Sequence, residues 1–268
     1  MARLIDLNCD MGEGFGAYKI GLDEEVIRFI SSANVACGFH AGDPNVMYRT
    51  TLLARENGVA VGVHAGFPDL VGFGRRNMVL DPSEIRNDLI YQIGALQAFC
   101  KVHGFDLQHV KPHGALYNMA TVDAVMAEAV AEGIAAVDRN LILFCLRGSE
   151  LEKAARAKGL VVACEVFADR AFNPDGTLVS RSKPNAVIKD PEVAAKRAVR
   201  MVIEGKVTAI NGEDIEVEAD TMCVHGDNPA AIALVETIRE EFKKAGIEVR
   251  PVHTFLEGVE NRTTRKVT

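Results

Sequence analysis

Several features that would place a chain of 268 residues in a particular class are missing from this sequence. No apolar run reaches the ~18 residues that a membrane-spanning helix needs, and Met1 leads into a strand-like segment without an apolar signal peptide. Positive charge is not in excess, because 30 Lys and Arg stand against 37 Asp and Glu, a net charge of −7. We therefore expect a cytoplasmic protein that binds neither membranes nor nucleic acid.

The cysteines form no Cys-x-x-Cys pair. They lie far apart and mostly inside apolar runs, at positions Cys9, Cys37, Cys100, Cys145, Cys164 and Cys223. This distribution is typical of buried, reduced thiols and not of a disulfide framework, which agrees with a cytoplasmic location.

No Pro- or Ser-rich linker, block of like charges or low-complexity tract divides the chain. Short β-rich runs alternate with longer helical patterns from end to end, which is typical of parallel βα units. The predicted strands cover residues 4–10, 34–40, 59–64, 107–113, 141–146, 160–168 and 221–225. The predicted helices cover residues 23–31, 45–57, 82–103, 123–137, 150–158, 191–204 and 229–245.

Seven such units predict an α/β fold in which one parallel (β/α) barrel domain fills residues 1–268, with a polar tail at 260–268. The turn sequence Asn173-Pro174-Asp175-Gly176 predicts a small hairpin or lid within 170–190. The apolar stretch 247–255 is expected to supply an eighth strand or to cover the bottom of the barrel.

Ionisable residues follow the predicted strands at their carboxyl ends, where a parallel barrel assembles its active site. These residues are Asp10, Glu13, His40, Asp43, His64, Lys111, His113, Asp169, Arg170, His225 and Asp227. Each of the four histidines precedes Gly or Ala-Gly, which allows backbone to approach a ligand closely. We expect most of these histidines to line one polar pocket.

This set of residues is compatible with two kinds of chemistry. Pairs such as Asp10 with Glu13, or His40 with Asp43, suit general acid and base catalysis. Histidine, Asp and Glu also bind zinc or manganese, although no HExxH, HxH or Cys-pair motif is present, so the metal content stays unknown. Asp43 and Asp227 also suit helix capping.

Candidate anion-binding groups follow the same strands. Arg75 and Arg76 come after the third strand, and Lys111 and Arg170 follow later ones. Arg binds carboxylate or phosphate in a bidentate manner, so this set predicts a small anionic substrate, with surface ion pairs as the alternative for Arg75 and Arg76. The glycines at 12–16 match neither a P-loop nor a dinucleotide-binding motif.

Six long motifs make the sequence recognisable. They are DLNCDMGEGFG at 6–16, NVACGFHAGDP at 34–44, GVHAGFPDLVGFGRR at 62–76, VKPHGALYN at 110–118, EVFADRAFNPDGTLVSRS at 165–182 and VHGDNP at 224–229. Over nearly its whole length the chain resembles the LamB/YcsF family. Asn185 stands where the family pattern usually has Gly, and we expect the same left-handed turn there, because Asn tolerates that conformation.

The resemblance implies an irregular seven-stranded parallel (β/α) barrel of the glycoside hydrolase/deacetylase type. It also implies a hydrolase acting on cyclic amides, which opens 5-oxo-L-proline to L-glutamate with ATP and Mg²⁺ as co-substrate, together with partner subunits B and C. Because no P-loop is present, ATP would need a non-standard cradle or a partner subunit.

In that chemistry the resemblance implies two sets of residues. The catalytic set, which activates water, is Asp10, Glu13, His40, His64 and His113. The substrate- and phosphate-binding set is Asp43, Arg75, Arg76, Lys111, Asp169, Arg170, His225 and Asp227. The alternatives are a metal-dependent amidohydrolase or deacetylase of the barrel class, and a non-catalytic subunit that binds a lactam or a carbohydrate.

Overall fold

The computed structural model describes residues 3–226 and 229–259. In chain order its strands are β1 (Arg3–Met11), β2 (Ser32–Ala36), β3 (Ala60–His64), β4 (His109–Val110), β5 (Ile142–Cys145), β6 (Val162–Phe167), β7 (Lys206–Thr208), β8 (Asp214–Glu216), β9 (Thr221–Val224) and β10 (Ile247–Val249). Parallel pairing runs from β1 through β6 to β9, and β9 pairs back onto β1. Seven strands therefore close into a barrel, which confirms the predicted fold class.

Helices surround this barrel. They are α1 (Asp23–Val26), α2 (Pro44–Glu56), α3 (Pro82–Val102), α4 (Gly114–Val122), α5 (Ala124–Val137), α6 (Glu150–Ala157), α7 (Pro191–Glu204) and α8 (Pro229–Lys244). Asp-Pro pairs begin three of them, because the carboxylates of Asp43, Asp81 and Asp190 accept hydrogen bonds from the first helical N–H groups. The same helices have Pro in their first turn, where its missing N–H costs nothing.

Three predicted elements differ from the structure, and one of them is the strand predicted at 107–113, of which only His109 and Val110 pair as β4. The strand predicted at 34–40 is β2 at 32–36, because Gly38 and Gly42 adopt φ values of 91° and 80° and turn the chain away from the sheet. Helix α1 ends at Val26, although the sequence pattern predicts a helix to residue 31.

Helix α4 and the two strands β7 and β8 are absent from the sequence prediction. Helix α4 begins after His113, whose side chain makes no capping hydrogen bond, so the sequence carries no start signal there. Strands β7 and β8 form an antiparallel hairpin around Asn211-Gly212. An Asn-Gly dipeptide between alternating apolar residues is a sequence signal for a hairpin, so these two strands were predictable.

The region after β6 has the hairpin that its turn sequence predicted. Phe172 pairs with Leu178 in an antiparallel bridge, and Gly176 donates its N–H to the Asn173 carbonyl oxygen at 3.0 Å. Asn185 has a φ of 60°, so the left-handed turn expected at this position is confirmed.

The eighth strand and the cysteine pattern are also confirmed. Strand β10 lies outside the closed barrel and pairs in parallel with β1, from Arg3 to Ile5. All six cysteines are buried and free. No helix within 3–226 or 229–259 is long and apolar enough to cross a membrane. The polar tail expected at 260–268 lies outside the described residues.

The barrel interior holds a hydrogen-bonded group of buried polar side chains, which we call the inner network. Its members are Asp6, Asn8, Ser32, Asn34, Gln108, His109 and Thr221. Asp6 accepts hydrogen bonds from the Ser32 and Thr221 hydroxyls, both at 2.6 Å. Asn8 donates to the Thr221 hydroxyl at 2.8 Å, and His109 Nε2 donates to the Asn34 side-chain oxygen at 2.7 Å. Burial raises the pKa of Asp6 to about 6.

Candidate active site

A cavity of about 520 Å³ lies at the carboxyl ends of the barrel strands. Its volume is within the range of sites that bind small organic ligands. Predicted site residues that line it are Asp10, Glu13, His64, Arg75, Lys111, His113, Arg170 and His225. The expectation that polar strand ends share one pocket therefore applies to three of the four histidines.

Asp10 and Lys111 form the floor of the cavity. The Lys111 ammonium lies 3.2 Å from Asp10 Oδ1 and 2.8 Å from Glu165 Oε1, and it donates to the Asn8 side-chain oxygen at 3.0 Å. Burial alone would raise the pKa of Asp10, but His64 and Lys111 outweigh it and hold that pKa well below its usual value. Burial would likewise lower the pKa of Lys111, but Asp10 and the other acidic neighbours hold it well above its usual value.

Beside this pair lies a second group, Glu13, His40, His64 and His113, which we call the histidine cluster. All four residues are buried, and one side-chain ligand atom from each lies within 4.8 Å of the others. The His40 and His113 rings stack with centroids 3.7 Å apart. Glu13 Oε1 lies 3.7 Å from both His40 Nε2 and His113 Nδ1.

Glycines allow the rings to pack this closely. A Cβ on Gly66 would lie 2.5 Å from His40 Nδ1, and one on Gly74 would lie 2.7 Å from His40 Cβ and 2.8 Å from His113 Cδ2. Gly74 also has a φ of 61°, which side chains rarely adopt. Any other residue at these two positions would displace the cluster.

Backbone carbonyl groups hold two of the imidazole rings. His64 Nδ1 donates to the Lys111 carbonyl oxygen at 2.9 Å, and His113 Nε2 donates to the Phe73 carbonyl oxygen, also at 2.9 Å. Burial and His64 lower the pKa of His113 to about 3. Burial, with His113 as its neighbour, also lowers the pKa of His40 well below the usual value, so both rings are neutral at pH 7.

Three arginines supply positive charge to the cavity wall: Arg75, Arg170 and Arg181. Arg170 is buried, and its Nη2 donates to the Val179 carbonyl oxygen at 2.7 Å. Its Nε has no hydrogen-bond partner within the described part of the chain. Burial and the nearby Arg181 lower the pKa of Arg170 to about 10, so it remains charged at neutral pH.

Three other predicted site residues lie away from the cavity surface. Asp43 caps α2 and accepts the Gly16 N–H at 2.8 Å, in agreement with the capping alternative. Arg76 pairs with the buried carboxylate of Asp69, an ion pair within its own loop. His40 lies behind His113 and is fully buried.

Asp169 lies just outside the lining and orients a residue that belongs to it. His225 Nδ1 donates to Asp169 Oδ2 at 2.7 Å, and although burial acts in the opposite direction, this carboxylate raises the pKa of His225. Asp227, the remaining predicted residue, lies outside the described residues.

Sequence reasoning missed Arg181 and Asn8 as site residues. Arg181 lies in the quoted motif 165–182, but no strand end precedes it directly. Its Nη2 is 3.3 Å from His225 Nε2 in the structure. Asn8 was detectable, because Asp6, Asn8 and Asp10 alternate along β1 and therefore face the same side.

Comparison with known proteins decides the family. The profile of the LamB/YcsF family matches residues 5–257. The chain belongs to the LamB/YcsF family. The expected resemblance is thus confirmed over nearly the whole length of the sequence.

Relatives within the LamB/YcsF family have informative names. A protein of Pyrococcus abyssi, named as the A subunit of 5-oxoprolinase, is 58% identical over 252 residues, which cover 94% of this chain and 99% of that protein. A protein of the same name from Natranaerobius thermophilus is 56% identical over 256 residues, which cover 96% of this chain and 100% of that protein. The crystal structure of a lactam utilization protein from Thermus thermophilus matches with a TM-score of 0.88 at 50% identity, covering 92% of this chain and 98% of that one.

Proposed function

We propose that this chain is the lactam-binding and lactam-opening component of an ATP-dependent 5-oxoprolinase. It converts 5-oxo-L-proline to L-glutamate, while ATP and Mg²⁺ are used in an assembly with partner subunits B and C. The names of the relatives support the lactam as the substrate and a multi-subunit assembly. The observation that carries the proposal is a cavity that combines two carboxylates, three histidines and three arginines.

The arginines suit the two anionic parts of this reaction. Arg170 Nε is a buried, charged donor at the cavity without a partner among the described residues, which is costly unless a ligand oxygen accepts from it. Arg75 and Arg181 lie on the same wall and are more exposed. In this proposal Arg170 binds the carboxylate of 5-oxoproline, and Arg75 and Arg181 hold phosphate oxygens.

The carboxylates suit activation of water. Asp10 and Glu13 both line the cavity beside the histidine cluster. A lactam carbonyl is a poor electrophile, so the γ-phosphoryl group of ATP is transferred to the lactam oxygen, which gives ADP and a phosphorylated imidate. Water then attacks the former carbonyl carbon and loses its proton to the carboxylate pair. The C–N bond then breaks and the nitrogen is protonated as an amine, which leaves an acyl phosphate of glutamate. A second water hydrolyses this acyl phosphate to glutamate and inorganic phosphate.

Lys111 has a supporting role in this proposal and does not bind phosphate. Its ammonium is occupied by Asp10, Glu165 and Asn8. It therefore keeps Asp10 ionised and in place at the floor of the cavity. This proposed positioning role differs from the phosphate-binding role that the sequence predicts for Lys111.

The test uses the assembled complex. The chain is combined with its partner subunits, ATP, Mg²⁺ and 5-oxoproline, and both ADP and glutamate are measured. We expect equal amounts of the two products, and a strong loss of both in Arg170→Gln but not in Arg156→Gln, an exposed arginine of α6. Absence of glutamate with all partners present contradicts the proposal. Glutamate formed without ATP would instead favour a nucleotide-independent amidohydrolase.

A further inference from the structure

Neutral imidazole rings leave the hydrogen positions of the histidine cluster unsatisfied, so either an added proton or a bound cation is required between two of its ring nitrogens. A carbonyl oxygen only accepts, so His64 Nδ1 and His113 Nε2 must carry the hydrogens that point to Lys111 and Phe73. In neutral rings the other two nitrogens, His64 Nε2 and His113 Nδ1, then carry lone pairs. These two nitrogens face each other at only 2.8 Å.

The surrounding atoms add further acceptors at the same point. Asp10 Oδ2 lies 3.2 Å from His64 Nε2, and Glu13 Oε1 lies 3.7 Å from His113 Nδ1. His40 is fully buried, and neither of its ring nitrogens has a hydrogen-bond partner within residues 3–226 and 229–259. Its Nε2 lies 3.7 Å from Glu13 Oε1. Lone pairs and carboxylate oxygens therefore converge where a positive charge is required.

We propose that the histidine cluster binds one divalent transition-metal ion, with zinc as the preferred metal, through His64 Nε2, His113 Nδ1, a carboxylate oxygen of Glu13 and His40 Nε2. Because stacked parallel rings cannot both direct a lone pair at one ion, the His40 ring, which no hydrogen bond within the described residues holds, turns out of its stack with His113 when the ion binds. Three imidazoles and one carboxylate are a ligand set that suits zinc, whereas Mg²⁺ prefers oxygen ligands. This ion is thus distinct from the Mg²⁺ that accompanies ATP. The Lys111 and Phe73 carbonyl groups orient two of the ligand rings, as outer partners of metal-binding histidines do.

The position of the cluster connects this ion to the cavity, and this step rests on the proposed function. Glu13, His64 and His113 line the cavity, and His40 closes the opposite side. An ion held there would face the cavity, where it would polarise a water molecule or the lactam oxygen. Because Glu13 is a ligand, Asp10 becomes the carboxylate that takes the proton of the attacking water.

Metal binding is tested on the full chain without lactam, nucleotide or partner subunits. The protein is stripped with a chelator, and binding of Zn²⁺, Mn²⁺ and Mg²⁺ is measured by calorimetry, with bound metal counted by elemental analysis. We expect one Zn²⁺ per chain and weaker binding of Mg²⁺. In His64→Asn and in His40→Asn the affinity for Zn²⁺ should fall by about 100-fold, since even changes beside a ligand reduce affinity about 10- to 100-fold.

The matched control is His103→Gln, which changes another buried histidine, one that contacts the Tyr48 carbonyl oxygen and does not belong to the cluster. It should bind Zn²⁺ as the unchanged protein does. Circular dichroism establishes that each variant is folded, and a Co²⁺-loaded sample should show the visible absorption of a site with nitrogen and oxygen ligands, which disappears in His64→Asn. If Zn²⁺ binds less than stoichiometrically, or equally well in His64→Asn and His103→Gln, a shared proton and not a metal satisfies the cluster.

The metal site and the proposed reaction fail in different ways. A chain that binds Zn²⁺ but forms no glutamate in the full assembly refutes the proposed reaction and keeps the metal site. A chain that forms glutamate with ATP but binds no transition metal refutes the metal site and keeps the proposed reaction.

Discussion

The barrel holds two groups of buried polar side chains, and they differ in how their hydrogens are assigned. In the inner network one consistent assignment satisfies every contact: the Ser32 and Thr221 hydroxyls donate to Asp6 and accept from Gln108 and Asn8 in turn. His109 donates through Nε2 and accepts through Nδ1. In the histidine cluster no such assignment exists with neutral rings.

This difference distinguishes a structural group of side chains from a candidate functional group within the same barrel. Buried polar groups are nearly always paired, so the inner network is explained by the protein itself. The histidine cluster lies at the cavity, at the carboxyl ends of the strands, where the proposed ion would complete it. Lys111 joins the two groups, because its ammonium contacts Asn8 of the inner network and Asp10 beside the cluster.

Removing the Lys111 ammonium, which connects the inner network to Asp10, should have the largest effect of the substitutions considered. Lys111→Met removes the ammonium between Asp10 and Glu165 and leaves two buried carboxylates uncompensated. We expect the free energy of unfolding to fall by about 3–5 kcal/mol, measured by urea denaturation. Lys153→Met, which removes an exposed lysine paired with Glu150, should change it by less than about 0.5 kcal/mol. An unchanged urea midpoint in Lys111→Met would show that the buried carboxylates are neutral.

Changing the cavity side should affect turnover more strongly than folding, because Lys111 keeps Glu165 as a carboxylate partner. Asp10→Asn keeps an oxygen for the Asn34 side-chain amide, which donates to it at 2.8 Å, but removes the negative charge. We expect glutamate formation by the assembled complex to fall by about 10²- to 10⁴-fold, as loss of a general base does. Asp123→Asn, a helix cap on α5, is the control with unchanged turnover. Full activity of Asp10→Asn would leave Asp10 without a catalytic role.

Changing the inner network alone should alter the pH dependence of stability. The pKa of Asp6 is about 6 in the folded chain and near 3.8 in the unfolded one, so the folded state binds the proton more tightly. The free energy of unfolding therefore decreases as the pH rises from about 4 to 6, by about 3 kcal/mol for this residue.

Asp6→Asn should remove that decrease, because an amide does not titrate and still accepts from the Ser32 hydroxyl. Urea denaturation between about pH 4 and 7 measures the difference between the two proteins. Asp81→Asn, an exposed helix cap, should leave the decrease in place. Parallel curves for Asp6→Asn and the unchanged chain would mean that the Asp6 pKa is not raised.

The smallest effect is expected for a substitution in the cavity wall that weakens substrate binding. Arg181→Gln removes an exposed charge next to His225, and we expect the apparent KM for the anionic substrates to rise about tenfold with kcat little changed. Arg76→Gln is the paired variant, since Arg76 contacts Asp69 and not the cavity. It should leave KM unchanged. Equal KM values for the two variants would show that Arg181 binds no substrate.

The sequence predicted the barrel and much of the cavity for identifiable reasons. The parallel βα rhythm requires alternating apolar strands and helices, and strand ends such as His64 and His113 meet at one edge by geometry alone. The sequence did not predict the residue bounds of β2, because Gly38 turns the chain early. It also did not predict α4, because His113 is not a capping residue.

The division between satisfied and unsatisfied groups was not predictable from residue types. Both groups contain histidine and carboxylate residues. What distinguishes them is which ring nitrogen meets a carbonyl group, and the Phe73 carbonyl lies 40 positions from His113 in the sequence. Similarly, Arg76 and Arg75 are adjacent in the sequence, and only the loop conformation assigns one to Asp69 and the other to the cavity.

Strand β1 pairs with β2, β9 and β10, so its neighbours come from both ends of the chain. During synthesis, β1 leaves the ribosome before its partner β9, which lies 215 residues further along at the Asp6 contact with Thr221. Until then Asp6 and Asp10 have only part of their partners, and incomplete chains expose unpaired strand edges. Truncated products of this protein are accordingly expected to be substrates for chaperones and proteases, because no fragment that lacks β9 contains a closed barrel.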